Sequence, residues 1–154
     1  MDGRAPHLDP GTCYSSTNND RPAAITADGD VNLERRLGDL RAAGVEIVVG
    51  SVIDFGGVAR AKAVPLDRLG SFATDGMGAS PSWNVFCIDD AIAFTPGFGV
   101  VGDLRLRIDP ADLRVVAPGV SWAPADLTEQ GGAVSPACTR GLLRRVTADL
   151  AADG

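Results

Sequence analysis

Apolar positions after residue 30 recur at helical spacing, with Val31, Leu33, Leu37 and Leu40 in "VNLERRLGDLRAA". Asp30 is a candidate N-cap and Gly44 a stop, so the pattern predicts a helix between them. "VEIVVGSVID", rich in β-branched residues, is expected to be a buried strand, and "FGG" to turn it into "VARAKAVP" as a hairpin. Alternation on the second arm puts Val58, Arg60, Lys62 and Val64 on one face. Ala59, Ala61 and Ala63 share the other, which is small enough to pack closely beneath a helix.

"ATDGMGASPSW", residues 73–83, breaks the periodicity and reads as a flexible loop carrying one carboxylate, Asp75, and two hydroxyls, Ser80 and Ser82. "WNVFCI" is a candidate short strand, and "AIAFTPGFGV" is apolar but interrupted by Pro96, Gly97 and Gly99. "DLRLRI" alternates cleanly, and "DPAD" is expected to turn it into "LRVVA" as a second hairpin. "SWAPADL" is a plausible last strand, with Pro124 marking an edge or a bulge, and "TEQGGA" is a polar turn. Ser135 with Pro136 behind it predicts the start of a final helix with the apolar stripe Leu142, Leu143, Val146 and Leu150. Nothing after Gly154 can cover that stripe, so the chain reads as cut rather than finished. No internal repeat is visible. The order of elements fits an α+β fold with a mixed, strongly twisted sheet.

Composition narrows the function. Hydrophobic residues make up 45% of 154, enough for one core, whereas residues 1–29 are polar and rich in Pro and Gly, and are expected to form a disordered arm. A formal charge of −6 without a basic run argues against nucleic acid, and no apolar run is long enough to span a bilayer. Cys13, Cys87 and Cys138 are too scattered for a metal motif and His7 is the single histidine, which suggests reduced thiols and a cytoplasmic protein. Cys87 and Cys138 read as small buried hydrophobes and Trp83 and Trp122 as packing residues. Arg60 and Lys62 either meet a phosphate or, more commonly for such a pair, face solvent or carboxylates. Asp103 and Asp109 read as turn residues rather than a catalytic pair. Arg140, Arg144 and Arg145 are expected to pair with an absent domain or face water.

Several stretches together resemble the N-terminal part of the glutamine synthetase family: "VEIVVGSVIDFGGVARAKAVP", the glycine loop beginning at Gly76, "GDLRLRIDPADLRVVAPGVSW" and "GGAVSPACTRGLLRRVTADLAADG". The likeness covers residues 31 to 154 and rests on order and spacing rather than on one motif. It implies a β-grasp domain over 30–134, followed at 135–154 by the first helix of a larger catalytic domain. It also implies assembly into rings of subunits, and ATP-dependent ligation of glutamate to an amine with Mg or Mn ions. The family draws its metal ligands from a Glu-x-Glu strand, but the glutamates here are Glu34, Glu46 and Glu129, with no such pair and no Walker-type phosphate loop. The chain alone is therefore expected to bind no cofactor and to be inactive, with its uncovered last helix favouring self-association.

In ammonia-using members a loop of phenylalanine, aspartate, glycine and two serines reaches the neighbour's active site, and its aspartate takes a proton from ammonium. Two alignments are open here. One gives Asp75 that role. The other, preferred because it needs no gap and keeps a glycine ahead of the serines, puts Ser80 at the aspartate position and Ser82 on a serine. Loss of the carboxylate favours the branch that uses larger amines, such as polyamines or aromatic or alkyl amines. A free-standing, non-catalytic β-grasp interaction module is the alternative reading.

Overall fold

The computed structural model describes residues 27–153; His7, Cys13, Gly154 and all but the end of the expected arm lie outside the described residues. Helix α1 spans Ala27–Ala42. It starts before Asp30, which therefore sits inside the helix rather than capping it, since Gly29 costs a helix only about 1 kcal/mol. Gly44 ends it as expected, at φ +73°, with the Val45 N–H donating to the Leu40 carbonyl at 3.0 Å. Leu40 is buried, and Leu33 and Leu37 pack partly buried against the same core.

The expected first hairpin is present. Strand β1 (Ile47–Ile53) pairs antiparallel with β2 (Ala59–Pro65). The alanine face of β2 is exposed, however, rather than packed beneath a helix among the described residues: Ala59, Ala61 and Ala63 are exposed while Val64 alone of the strand is buried. The helix that follows, α2 (Leu69–Thr74), enters the core instead, with Leu69 and Phe72 fully buried.

Strands β3 (Met77–Ala79), β4 (Leu104–Ile108), β5 (Arg114–Ala117) and β6 (Val120–Thr128) complete a six-stranded sheet in the order β2-β1-β6-β4-β3, with β5 also on β6. β1 and β6 run parallel and every other pair is antiparallel, which gives the mixed sheet of the expected α+β, β-grasp-like fold. The second hairpin is not formed. β4 and β5 are both antiparallel to β6, and the 3₁₀ turn Pro110–Asp112 interrupts one continuing path rather than reversing it. The hairpin lies one step later, between β5 and β6, at Gly119 with φ +75°.

Pro124 is at neither an edge nor a bulge. It stands mid-β6, after the last residue paired to β5 (Trp122) and before the first paired to β4 (Ala125). Proline there can give no N–H back to Asp109, and the contact is one-sided: the Pro124 carbonyl accepts the Asp109 N–H at 3.0 Å. The core gathers beneath the alternate positions Ala123, Ala125 and Leu127.

Helix α3 (Thr139–Ala152) begins later than Ser135 suggests. Ser135 is buried and donates its N–H to the Leu127 carbonyl at 2.8 Å, which keeps it on the sheet. Cys138 caps the helix instead, its Sγ accepting the Gly141 N–H at 3.4 Å. Beyond Gly141 the helix is exposed, with Leu142, Leu143, Val146 and Leu150 between 45% and 68% accessible. Among the described residues, no helix is long and apolar enough to cross a membrane.

Gly50 in β1 lies where the core is tightest. A Cβ there would meet Ile108 Cγ2 at 2.4 Å and the Phe72 ring at 2.6 Å, whereas one on Gly38, in α1, would meet nothing within 4 Å. Gly50→Ala is expected to destabilise the chain by roughly 1–3 kcal/mol through overpacking. Gly38→Ala is expected to be neutral or to stabilise by up to about 1 kcal/mol. Urea denaturation of both variants checks the contrast, and equal midpoints would contradict it.

Candidate functional site

Residues 73–83 are not a flexible loop. Thr74 ends α2, Asp75 caps it, and Gly76 turns the chain at φ +73° into β3. Gly76 is dictated by space as well as by φ, because a Cβ would lie 2.6 Å from Arg107 Cγ and 3.0 Å from the Leu106 carbonyl oxygen. Beyond β3, Ser80 caps the 3₁₀ turn Pro81–Asn84, its Oγ accepting the Ser82 N–H at 3.2 Å. The Ser80 and Ser82 hydroxyls are 2.7 Å apart, with Ser80 exposed. The structure thus keeps the two serines together and separates them from Asp75, which lies at the other end of β3. "WNVFCI" is not a strand: the 3₁₀ turn takes up Trp83 and Asn84, and a single bridge between Phe86 and Ile92 follows. Cys87 there is exposed rather than buried; Cys138 is buried.

Arg60 and Lys62 hold this segment to β2. The Arg60 guanidinium lies 4.6 Å from the Phe86 ring centre and Lys62 Nζ 5.7 Å from that of Trp83. Arg60 also bridges two carboxylates, Asp54 at 2.8 Å and Asp90 at 2.8 Å. It is therefore committed to carboxylates and not presented to a phosphate. Asp54, at the end of β1, is the buried centre of the group: its Oδ1 accepts the Val58 N–H at 2.8 Å, closing the β1–β2 turn. Burial alone pushes its carboxyl up, but the Arg60 hydrogen bond and charge and the Val58 N–H together hold it below the usual carboxylate range. Asp90, at φ +60°, was invisible to pattern reasoning because its role comes from a partner 30 residues away.

A second group ties α3 to the sheet. Arg140 reaches Asp109 at 3.1 Å, Asp112 at 3.4 Å and Asp126 at 3.4 Å, and Arg144 takes the other Asp126 oxygen at 2.7 Å. Burial lowers the Arg140 pKa, but the three carboxylates outweigh it and raise the pKa overall. Asp103 accepts from Gln130 Nε2 at 2.7 Å. Trp122 donates its indole N–H to Ser51 Oγ at 2.8 Å across the β1–β6 pair.

Divalent-cation chemistry requires several free donors around one point. Among the described residues no three His, Cys, Asp or Glu side chains converge to hold a metal, and Asp54, Asp109, Asp112 and Asp126 are each engaged by arginine. These residues do not fit a metal–nucleotide centre.

Comparison with known proteins bears on this geometry. Over 117 residues the chain is 44% identical to gamma-glutamylpolyamine synthetase GlnA3 of Streptomyces coelicolor, a match taking in 74% of this chain and 25% of that protein. The chain thus spans about a quarter of the length of the curated relative it matches. Among solved structures it is similar to a novel glutamine synthase homolog (29% identity, TM-score 0.57, 66% of this chain and 25% of that one). It is also similar to GmaS in a complex with ADP (27% identity, TM-score 0.62, 76% and 25%). No family model matches the chain.

Because the Asp54 pKa is lowered on folding, its contribution to stability is complete above the ordinary carboxylate value and is lost as pH falls through the lower folded value. The stability gap between the parent chain and Asp54→Asn is therefore expected to stay constant from neutral pH down to about 5 and to shrink below about pH 4. Urea midpoints across that range test it; an unchanged gap in acid would show that Asp54 is not held ionised by these partners.

Proposed function

We infer, from the premise that this chain belongs to the glutamine synthetase family as its N-terminal part, that it serves an ATP-dependent ligase joining the side-chain carboxylate of glutamate to an amine. The observation that carries this reading is the 44% identity over 117 residues to a gamma-glutamylpolyamine synthetase. In such a reaction ATP, held with Mg or Mn, would give its γ-phosphoryl group to the side-chain carboxylate of glutamate with ADP leaving, and the amine would then displace inorganic phosphate. Those groups belong to a catalytic portion outside residues 1–154, which match about a quarter of the relative's length. The division into a β-grasp unit at 30–134 and the first helix of a catalytic domain at 135–154 is part of the same proposal, as are a ring of subunits and a cytoplasmic location.

This chain's contribution is positional. The Ser80–Ser82 turn stands on the surface, braced from behind by Lys62 on Trp83 and Arg60 on Phe86. We place that turn against the neighbouring subunit's amine site, with Ser80 at the position where ammonia-using relatives carry aspartate. A hydroxyl can accept one hydrogen bond from an amine N–H, but it neither attracts ammonium as a carboxylate does nor takes its proton. The turn therefore suits a larger amine, whose binding is shared along its chain, better than bare ammonia. A polyamine is the substrate class this supports. The 154-residue chain by itself lacks the groups that make acyl phosphate and is expected to be inactive. The second reading, a non-catalytic interaction module, draws on the uncovered α3 stripe, which also favours self-association.

In the full-length ligase, Ser80→Ala is expected to raise the KM for putrescine several-fold, while Asp75→Ala leaves that KM unchanged. A steady-state assay of glutamate- and ATP-dependent phosphate release reads both. The opposite pattern would return the amine role to Asp75, and phosphate release by the 154-residue chain alone would overturn its expected inactivity.

A further inference from the structure

A second location, away from the serine turn, gathers charged side chains around a surface depression. A depression of about 370 Å³ opens between the end of α2 and the turn that follows β6, within the usual range for small-molecule sites of roughly 300–1,000 Å³. Its walls carry Arg105 and Arg107 from one face of β4, Asp75, Glu129 and Gln130. Arg107 is the distinctive member. Register places Asp126 directly across from it, the natural cross-strand partner, but both Asp126 oxygens are already taken by Arg140 and Arg144. Among the described residues Arg107 consequently has no ion pair and no hydrogen bond from its guanidinium.

Its side chain is nevertheless guided into place. The stem runs over Gly76, where a Cβ would lie 2.6 Å from Arg107 Cγ, and the guanidinium lies over Gly132, 3.9 Å from where a Cβ would be. Both glycines have positive φ and leave the room the arginine occupies. Arg105 is held more loosely, by Gln130 Oε1 at 3.3 Å and by Asp103 at 4.0 Å. Asp75 and Glu129 likewise form no ion pair among the described residues. The depression thus combines an uncommitted guanidinium with uncommitted carboxylates. A simple anion would meet the carboxylates and a simple cation the arginines; a molecule carrying both charges satisfies each.

We propose that this depression binds a small zwitterion, a molecule with an oxyanion for Arg107 and an ammonium group for Asp75 or Glu129. The site is independent of the serine turn and of the ligase reading, and it assigns Asp75 a role there rather than at the amine. Charge-assisted hydrogen bonds to a planar guanidinium are strong and geometrically selective, which makes Arg107 the main determinant of affinity.

Calorimetric titration of the full 154-residue chain with glycine, β-alanine and γ-aminobutyrate tests this, with butyrate and butylammonium as single-charge controls. At least one of the amino acids is expected to bind several-fold tighter than either control and to move the amide resonances of Gly131 and Gly132. Arg107→Gln is expected to weaken that binding at least about tenfold, Arg107→Lys to recover part of it, and Asp75→Asn to weaken it while sparing butyrate. Circular dichroism confirms that each variant is folded, and all the positions lie on the surface of the depression. The proposal is overturned if no amino acid binds, if butyrate binds as well as the best of them, or if a folded Arg107→Gln chain keeps its affinity. Tighter binding by Asp75→Asn would also overturn it, since Asp75 would then be Arg107's own partner.

Discussion

The arrangement depends on the backbone of β6 being shared among three partners. One edge of Val120–Thr128 bonds in parallel to β1; the other bonds first to β5 and then to β4, with Pro124 at the changeover. Every other element is placed relative to that strand. β1 carries β2, β4 carries β3, and the chain leaving Thr128 returns over Val134 and Ser135 to launch α3. A nine-residue strand whose alternate side chains are buried cannot slip by one position without turning its apolar face outward, so the register of the whole sheet is fixed there.

Electrostatics then fixes the pieces that hydrogen-bonded ladders do not reach. Arg60 and Arg140 each gather carboxylates from segments far apart in sequence: Asp54 and Asp90 in one case, Asp109, Asp112 and Asp126 in the other. The first holds the excursion after the serine turn against β2, and the second seats the first turn of α3. Pairing of this kind leaves a remainder, because Arg107 faces an Asp126 that is already occupied. The same networks explain why these carboxylates are unsuited to metal binding.

Much of this was legible before any coordinates. Period-two alternation marked β4, and the β-branched run of β1 followed by Phe55-Gly56-Gly57 marked the first hairpin, because those signals are local and their physics is short-ranged. Several errors share a cause. Ser135 carries good capping chemistry, the Asp109–Asp112 stretch good turn chemistry, and Pro124 the usual mark of an edge, yet each was overridden by where β6 and its neighbours pulled the backbone; Asp30 fails as a cap for a local reason, since α1 runs on through Gly29 to Ala27. The candidate site was legible as residue types only. Ser80 and Ser82 could be named together, but not the separation from Asp75 that β3 imposes, nor the packing of Lys62 and Arg60 behind them.

The amino-acid sequence by itself determined α1, the first hairpin, β4, the class of fold and the family likeness, because helical and strand periodicity and the order of short motifs are properties of neighbouring residues. Tertiary structure alone decided that β4 and β5 run on as one interrupted path and that the alanine face of β2 lies open. It also decided which arginine took which carboxylate. The arginine pairings draw on contacts between residues 30 or more positions apart, Arg60 with Asp90 and Arg140 with Asp109. No local pattern encodes the competition among several arginines for the same oxygen atoms, and that competition leaves Arg107 without an ion pair among the described residues.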